Sequence, residues 1–330
     1  MSRWNGAAAR LRSLTNPPRY GPLGMYDPQP YISVWLEGMG EAREVTRNNV
    51  VTALRPFTIG IMFDSRTPLP GGEDLRLCLR HRASNRPPAA SPEGQLLGVI
   101  RLRFARNIQL AEHHFGLFEI TGCENRCVSR PAIGLYYLRK WYSNRLKQRR
   151  NPYNFQMTPL DLRASYVFYI CPRPVVLVTV IHGDRGNMFP MDLIGPTDSP
   201  WFSMALRKTS PAVALMEGSR RLALAKAPLA YKQYAYEMGK HHKLAAIDWA
   251  GLPFAVDRSP AFGLPVAAAA PAVREVEIRE CHEVGSHRLF VTSIVEESRP
   301  KDSSPETPQL FHAFSSYRQY LAMNREDGRE

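Results

Sequence analysis

Arg207-Lys208-Thr209-Ser210 sets two cations and two hydroxyls in a row, directly before Pro211 and the apolar run AVALM. Serine at an N-cap with proline at the first helical position marks a helix start. The free N–H groups of a first turn attract anions, so these four residues form a corner suited to a phosphate. The plainer alternative is a capped helix beside a solvated charge pair. His287 stands in GSHRLF, after a glycine turn and at the head of an alternating strand. An imidazole there can position a substrate or offset a negative charge, or can simply hold the strand's start by a hydrogen bond.

The stretch VVLVTVI (175–181) has the β-branched density of a buried strand. A tight Gly-Asp turn then sends Asn187, Met188, Phe189, Pro190, Met191 and Asp192 back toward it. Pro190 has no N–H to give a ladder, so the return is expected to interrupt its pairing and leave neighbouring backbone groups for a ligand. An edge strand with a bulge is the alternative. His241, His242 and Lys243 lie in GKHHK; adjacent histidines point about 100° apart on a helix and suit one metal poorly. His113, His114, Cys123 and Cys127 supply the ligand types of a zinc site, but the thiols lie beyond a strand and no metal site is expected. RKWYSNRLKQRR (139–150) carries six Lys/Arg and no acid; it could meet nucleic acid or, as a helix, expose a basic face while packing Tyr137, Leu138 and Trp141.

The elements that must position these residues are mostly strands. YISVWLEG, EVTRNNVVTAL and FTIGIMFD, then residues 96–110 and 114–121, alternate as strands do. A helix is expected over 134–150, another beginning at 210, and a polar helical stretch over 229–250. The last strands are 273–284 and 286–297, joined at Gly285. The 28 prolines favour short elements. No internal repeat is legible at any usual period. The organisation expected is a flexible tail over 1–25, a β-rich N-terminal domain over 26–160 ending in the basic helix, and a barrel with a C-terminal extension over 161–330. Of the net charge of +13, the first 165 residues hold 24 Lys/Arg against 12 Asp/Glu, so the basic character belongs to the first half. Five cysteines are few and odd in number, which argues for a reducing, cytoplasmic setting. No apolar stretch is long enough for a transmembrane helix.

The ordered set RPVVLVTVIHGDRGNMFPMDLIG, MALRKTSPAVALMEGSRRLALA, GKHHKLAAIDWAGLPF and ECHEVGSHRLFVTSIVEE resembles the flavin reductase family. The resemblance covers about residues 165–300. It implies a mainly β fold with short helices, an FMN-binding split β-barrel preceded by a β-rich N-terminal unit. It implies FMN as cofactor, with its phosphate at Arg207, Lys208, Thr209 and Ser210 and its ring along residues 187–193, where Met and Phe make a polarizable wall. His242 would stand at the mouth of the site, and His287 near flavin and nicotinamide as an assisting residue. It further implies hydride transfer from NADH or NADPH, a homodimer with flavin near the subunit interface, and delivery of electrons to released flavin, oxygen or a partner oxygenase. Two other readings compete: a flavin-binding sensor or carrier without turnover, and a nucleic-acid-binding protein that uses the basic N-terminal half.

Overall fold

The structure, a computed structural model, describes residues 20–25, 31–70, 74–82, 92–128, 130–150, 156–195, 200–299 and 307–314. The rest of the expected N-terminal tail, residues 1–19, lies outside them. After β1 (Tyr20–Met25) come β2 (Ile32–Glu37), β3 (Arg43–Glu44), β4 (Asn49–Leu54), β5 (Phe57–Asp64), β6 (Leu75–His81), β7 (Leu96–Leu110) and β8 (His113–Asn125). Helices α1 (Arg130–Arg150) and α2 (Pro159–Phe168) follow. The second half runs through β9 (Arg173–Pro174), β10 (Val176–His182), β11 (Arg185–Met191), β12 (Ile194–Gly195), β13 (Trp201–Arg207), α3 (Ala212–Ser219) and β14 (Arg221–Lys226). Helical turns over residues 229–243 include α4 (Lys232–Glu237). A ribbon of β15 (Val256–Arg258) and β16 (Pro265–Ala267), the hairpin β17 (Val273–Val284) to β18 (His287–Ser298), and β19 (Gln309–Phe314) complete the chain.

The fold is therefore mainly β with short helices, 51% strand against 19% helix, and its large sheets curl into half-barrels of the expected split-barrel class. The N-terminal sheet has the order β3-β2-β6-β7-β8-β5-β4, and the C-terminal one β11-β10-β14-β17-β18-β13-β12. Numbered along the chain, the two sheets visit their neighbours in the same order. The sequence shows no repeat; the topology has one. Each barrel has its own apolar core, a third cluster lies under residues 231–254, and a fourth lies where the barrels meet.

Three connections tie the halves. β1, which falls in the stretch expected as tail, pairs antiparallel with β19, and β19 pairs with β9. Helix α2 straddles the expected boundary at 160 and packs on β7 and β8 of the N-terminal sheet. Tyr137 of α1 stacks on Tyr166 of α2 at 6.0 Å, and Tyr136 donates its hydroxyl to that of Tyr166 at 2.7 Å. Leu138 and Trp141, expected to pack, are instead exposed, because the aromatic pair at 136–137 already fills the face of α1 turned to α2.

Asp161 shows how the sequence fixes α2. It forms a capping box with Thr158 and also accepts from Phe57 N at 2.8 Å, while only 3% exposed. One carboxylate thus caps a helix and anchors the start of β5. Asp161→Ala leaves buried donors without a partner, and a loss of about 2–3 kcal/mol is expected. Urea unfolding followed by circular dichroism checks it; a change under about 0.5 kcal/mol would show that water replaces the carboxylate.

Candidate functional site

β13 carries Arg207 at its end, and α3 starts five residues later because Pro211 supplies the first helical dihedral. Pro211, rather than the expected Ser210, occupies the N-cap, and no side chain caps the helix. The Ser210 hydroxyl is turned away and donates to the His242 carbonyl at 2.7 Å. Lys208 pairs with the Glu283 carboxylate at 2.7 Å, which lowers Glu283 below the usual carboxylate range. The corner thus keeps Arg207 and Thr209 facing outward while Ser210 is buried and Lys208 is spent on an ion pair.

Arg207 lies opposite His287 in the β13–β18 ladder. Desolvation pushes its pKa down although part of the side chain reaches solvent. His242 and His287 both feel its charge. For each imidazole burial is the larger cause of a lowered pKa, and His287 falls to about 4. His287 is 2% exposed, its Nδ1 accepts from Leu54 N at 3.4 Å, and it meets the Ser286 hydroxyl at 2.9 Å. It is therefore neutral at pH 7, and in this position it offers no positive charge to a bound anion.

The 187–193 segment behaves differently from its expectation. β10 and β11 pair without a break from Val176–Met191 to His182–Arg185, with Pro190 opposite Leu177. Pro190 does not interrupt the ladder because β11 is the edge strand, so the missing N–H falls on the outer side. That outer edge is already occupied. His241 Nδ1 lies 2.7 Å from Met188 O, and His242 Nε2 lies 2.7 Å from Pro190 O. Asn187 Nδ2 donates to His241 O and Leu244 O at 3.0 and 2.8 Å, so these residues clamp the turns over 238–243 onto β11. Met188 and Phe189 are buried in two different cores, one on each face of the sheet. They form no open wall.

What remains accessible is a cavity of about 270 Å³ lined by Pro190, Met191, Asp192, Tyr236, His242 and His312. Asp192 accepts from Tyr169 Oη at 3.0 Å and pairs with His312 Nδ1 at 2.8 Å. Tyr236 and His312 carry no motif in the sequence. His312 lies on β19, more than a hundred residues from Asp192, and no local pattern announces the pair. His242 joins the parts: its ring lines the cavity and lies 4.9 Å from Phe189, and its carbonyl holds Ser210 of the corner. A second cavity, about 310 Å³, opens elsewhere between the halves and is lined by Arg173, Arg274 and Lys226. It contains none of the predicted site residues. His113, His114, Cys123 and Cys127 do not act together: His114 reaches Asn107 and Ser65 O, and the Cys127 thiol reaches Leu97 O. Burial pushes the Cys123 thiol up to about 11.

No family model matches the sequence, and no curated protein matches it. Solved structures do. An FMN-binding protein from Thermus thermophilus with bound p-hydroxybenzaldehyde is 22% identical over 45% of this chain and 88% of its own, with a TM-score of 0.39. The NADH:FAD oxidoreductase SgcE6 of Streptomyces globisporus C-1027 is 19% identical over 49% of this chain and 96% of its own, with a TM-score of 0.42. Nitrilotriacetate monooxygenase component B from Mycobacterium thermoresistibile is 19% identical over 47% of this chain and 86% of its own, with a TM-score of 0.38. The chain thus contains a segment similar to flavin reductases and FMN-binding proteins, covering about 45% of its length. Its architecture rests on the strand order given above.

The burial of His287 has a consequence for stability. The folded state holds the imidazole neutral down to about pH 4, whereas the unfolded chain protonates it near 6.5. Between those values the unfolded state binds the extra proton, so stability is full above pH 6.5 and lost as pH falls toward 4. His287→Gln removes this dependence. The drop in unfolding free energy from pH 7 to pH 4.5 is expected to be about 2–3 kcal/mol smaller in the variant than in the wild type. Equal drops would mean that water reaches the ring.

Proposed function

We propose that this protein is an FMN-binding oxidoreductase that takes hydride from NADH or NADPH. The observation that supports it is that His242 both lines the cavity and holds Ser210 of the corner, so a candidate anion site stands beside a concave surface of apolar, polar and aromatic groups. Arg207 and Thr209 would take the phosphate, with the 270 Å³ cavity at the small end for a flat ring. Asn187 is fully buried and lines neither cavity, so it would serve the site by holding the turns over 238–243 in place rather than by touching a ring. FMN held by Arg207 and Thr209 would supply the hydride acceptor, with released flavin, oxygen or a partner oxygenase as the eventual electron acceptor. The chain's own part would be to anchor the phosphate and to hold the His242 ring in place against Pro190 O.

A single corner explains one terminal phosphate and no adenylate, so FMN is expected to bind more tightly than FAD; fluorescence quenching compares them, and tighter FAD would overturn the choice. Arg207→Ala removes the charge-assisted bonds, and FMN affinity is expected to fall by about 1.5–3 kcal/mol. Riboflavin, without the phosphate, should bind wild type and variant alike. A matching loss for both ligands would point to misfolding.

A second reading, a flavin carrier without turnover, is favoured by the occupied outer edge of β11 and by the enclosure of His287. Anaerobic mixing of the FMN-loaded protein with NADH and then NADPH separates the two. Bleaching of the flavin absorbance with either donor supports the oxidoreductase; a stable yellow protein with both leaves the carrier.

A further inference from the structure

The two large sheets agree in more than strand order. Seven consecutive pairs join β5 to β8, from Thr58–Glu119 to Asp64–His113; seven join β13 to β18, from Trp201–Ser293 to Arg207–His287. Both long hairpins close through two residues, Leu110 facing His113 and Val284 facing His287. Each turn begins at positive φ, 30° at Ala111 and 49° at Gly285. The ladders also slip at matching places: Arg101/Leu102 and Phe104/Arg106 in one, Glu275/Val276 and Ile278/Glu280 in the other. Counted back from the turn, these slips fall at the same residues. Bulges are placed features rather than defects, and unrelated sheets have no reason to share them. Even the loops agree. Ser65 N donates to Glu112 O and Thr67 N to Asp64 O, as Lys208 N does to Ser286 O and Ser210 N to Arg207 O.

This correspondence sorts the side chains. Ile59, Ile61 and Phe63 fill the N-terminal core where Phe202, Met204 and Leu206 fill the C-terminal one. The next face over does something else. Met62 and its counterpart Ala205, Leu110 and Val284, Phe115 and Leu289, Leu117 and Val291 all lie in one cluster. A patch that packs against its own copy is the mark of a two-fold, isologous contact. Over residues 99–124 and 273–298, Val99/Val273, His113/His287 and Ile120/Ile294 are the only identical positions.

The corners differ where chemistry would be done. Asp64-Ser65-Arg66-Thr67 stands where the C-terminal barrel has Arg207-Lys208-Thr209-Ser210. The Asp64 carboxylate accepts from Arg66 N at 2.9 Å, and no helix follows among the described residues before β6. A carboxylate at that place repels an anion. We propose that the chain is a fused two-fold pair, its N-terminal barrel standing in for a second subunit, and that one of the two related corners, at Arg207, binds a phosphate-bearing ligand while the Asp64 corner does not. The clause about the ligand rests on the FMN reading above; the fused pair stands on the two sheets alone. The homodimer expected from the sequence is then met within one chain.

Light scattering on the full chain at micromolar concentration, with and without FMN, tests the pair: a mass of 37.4 kDa is expected, and a stable dimer overturns it. Titration with FMN by fluorescence quenching tests the corners, with saturation expected at one FMN per chain. Asp64→Ala should leave that stoichiometry and affinity within about twofold, whereas Arg207→Ala should raise Kd at least about tenfold. Two FMN per chain, or loss of binding in the Asp64 variant with Arg207→Ala unaffected, overturns the one-corner assignment. A 37.4 kDa particle that binds no FMN overturns the ligand clause and the function proposed above, and supports the fused pair.

Discussion

The backbone of β4 is where two barrels become one molecule. It lies against β12, β13 and β18, and bonds cross the seam at both of its ends. Leu54 N reaches His287, and Arg55 O accepts from Ser286 N at 2.8 Å. At the other end Arg173 donates to Asn49 O at 3.2 Å and to its side chain. The approach at the turn is close enough to select a residue type. A Cβ at Gly285 would sit 2.4 Å from Arg55 O, and its φ of 49° is one that glycine adopts without strain. Both half-barrels end in an edge beside this seam, β4 in one and β12 in the other, and mutual cover removes the hazard of an open edge.

The same contact determines the chemistry of His287. An imidazole at a strand's start in an isolated barrel would face water and titrate near its ordinary value. Here the N-terminal barrel closes over it and its charge is suppressed. The seam therefore acts on the site by dielectric rather than by contributing a charged group. Neutral rings next to Arg207 leave that guanidinium as the dominant charge of the corner.

Strand positions were legible because alternation was clean. FTIGIMFD, residues 96–110 and residues 273–284 form β5, β7 and β17 over the spans read from the sequence. The helix at 229–250 was legible in type but ends at 243, where Leu244 turns to an extended conformation and its carbonyl accepts from Asn187. The site was less legible for a definite reason. Whether Pro190 interrupts a ladder depends on which side of β11 faces a neighbour, and His241 and His242, about fifty residues on, decide that. Ser210 reads locally as a cap, yet its hydroxyl answers to the carbonyl of His242. The repeat was hidden because a barrel constrains burial and register, not identity: Leu for Val, Phe for Leu and Met for Ala all satisfy the seam.

The distribution of charge also takes on a different meaning in three dimensions. The first half is strongly basic, yet its corner is headed by an acid, whereas the nearly neutral second half carries the desolvated Arg207. Net charge describes long-range attraction; binding depends on which groups stand at the site itself. Lys208 is paired with Glu283, and an arriving anion would have to compete for it. Arg207 faces outward, opposite the buried His287 in the ladder, and a phosphate placed there would be attracted by its charge. In the related corner Asp64 and Arg66 stand two residues apart, and the Asp64 carboxylate holds the Arg66 amide, so no comparable gain is available to an anion. Two corners built on one backbone plan thus differ in the residue that ends the strand, an acid in one and an arginine in the other, and in α3, which follows the second and has no counterpart among the described residues after the first.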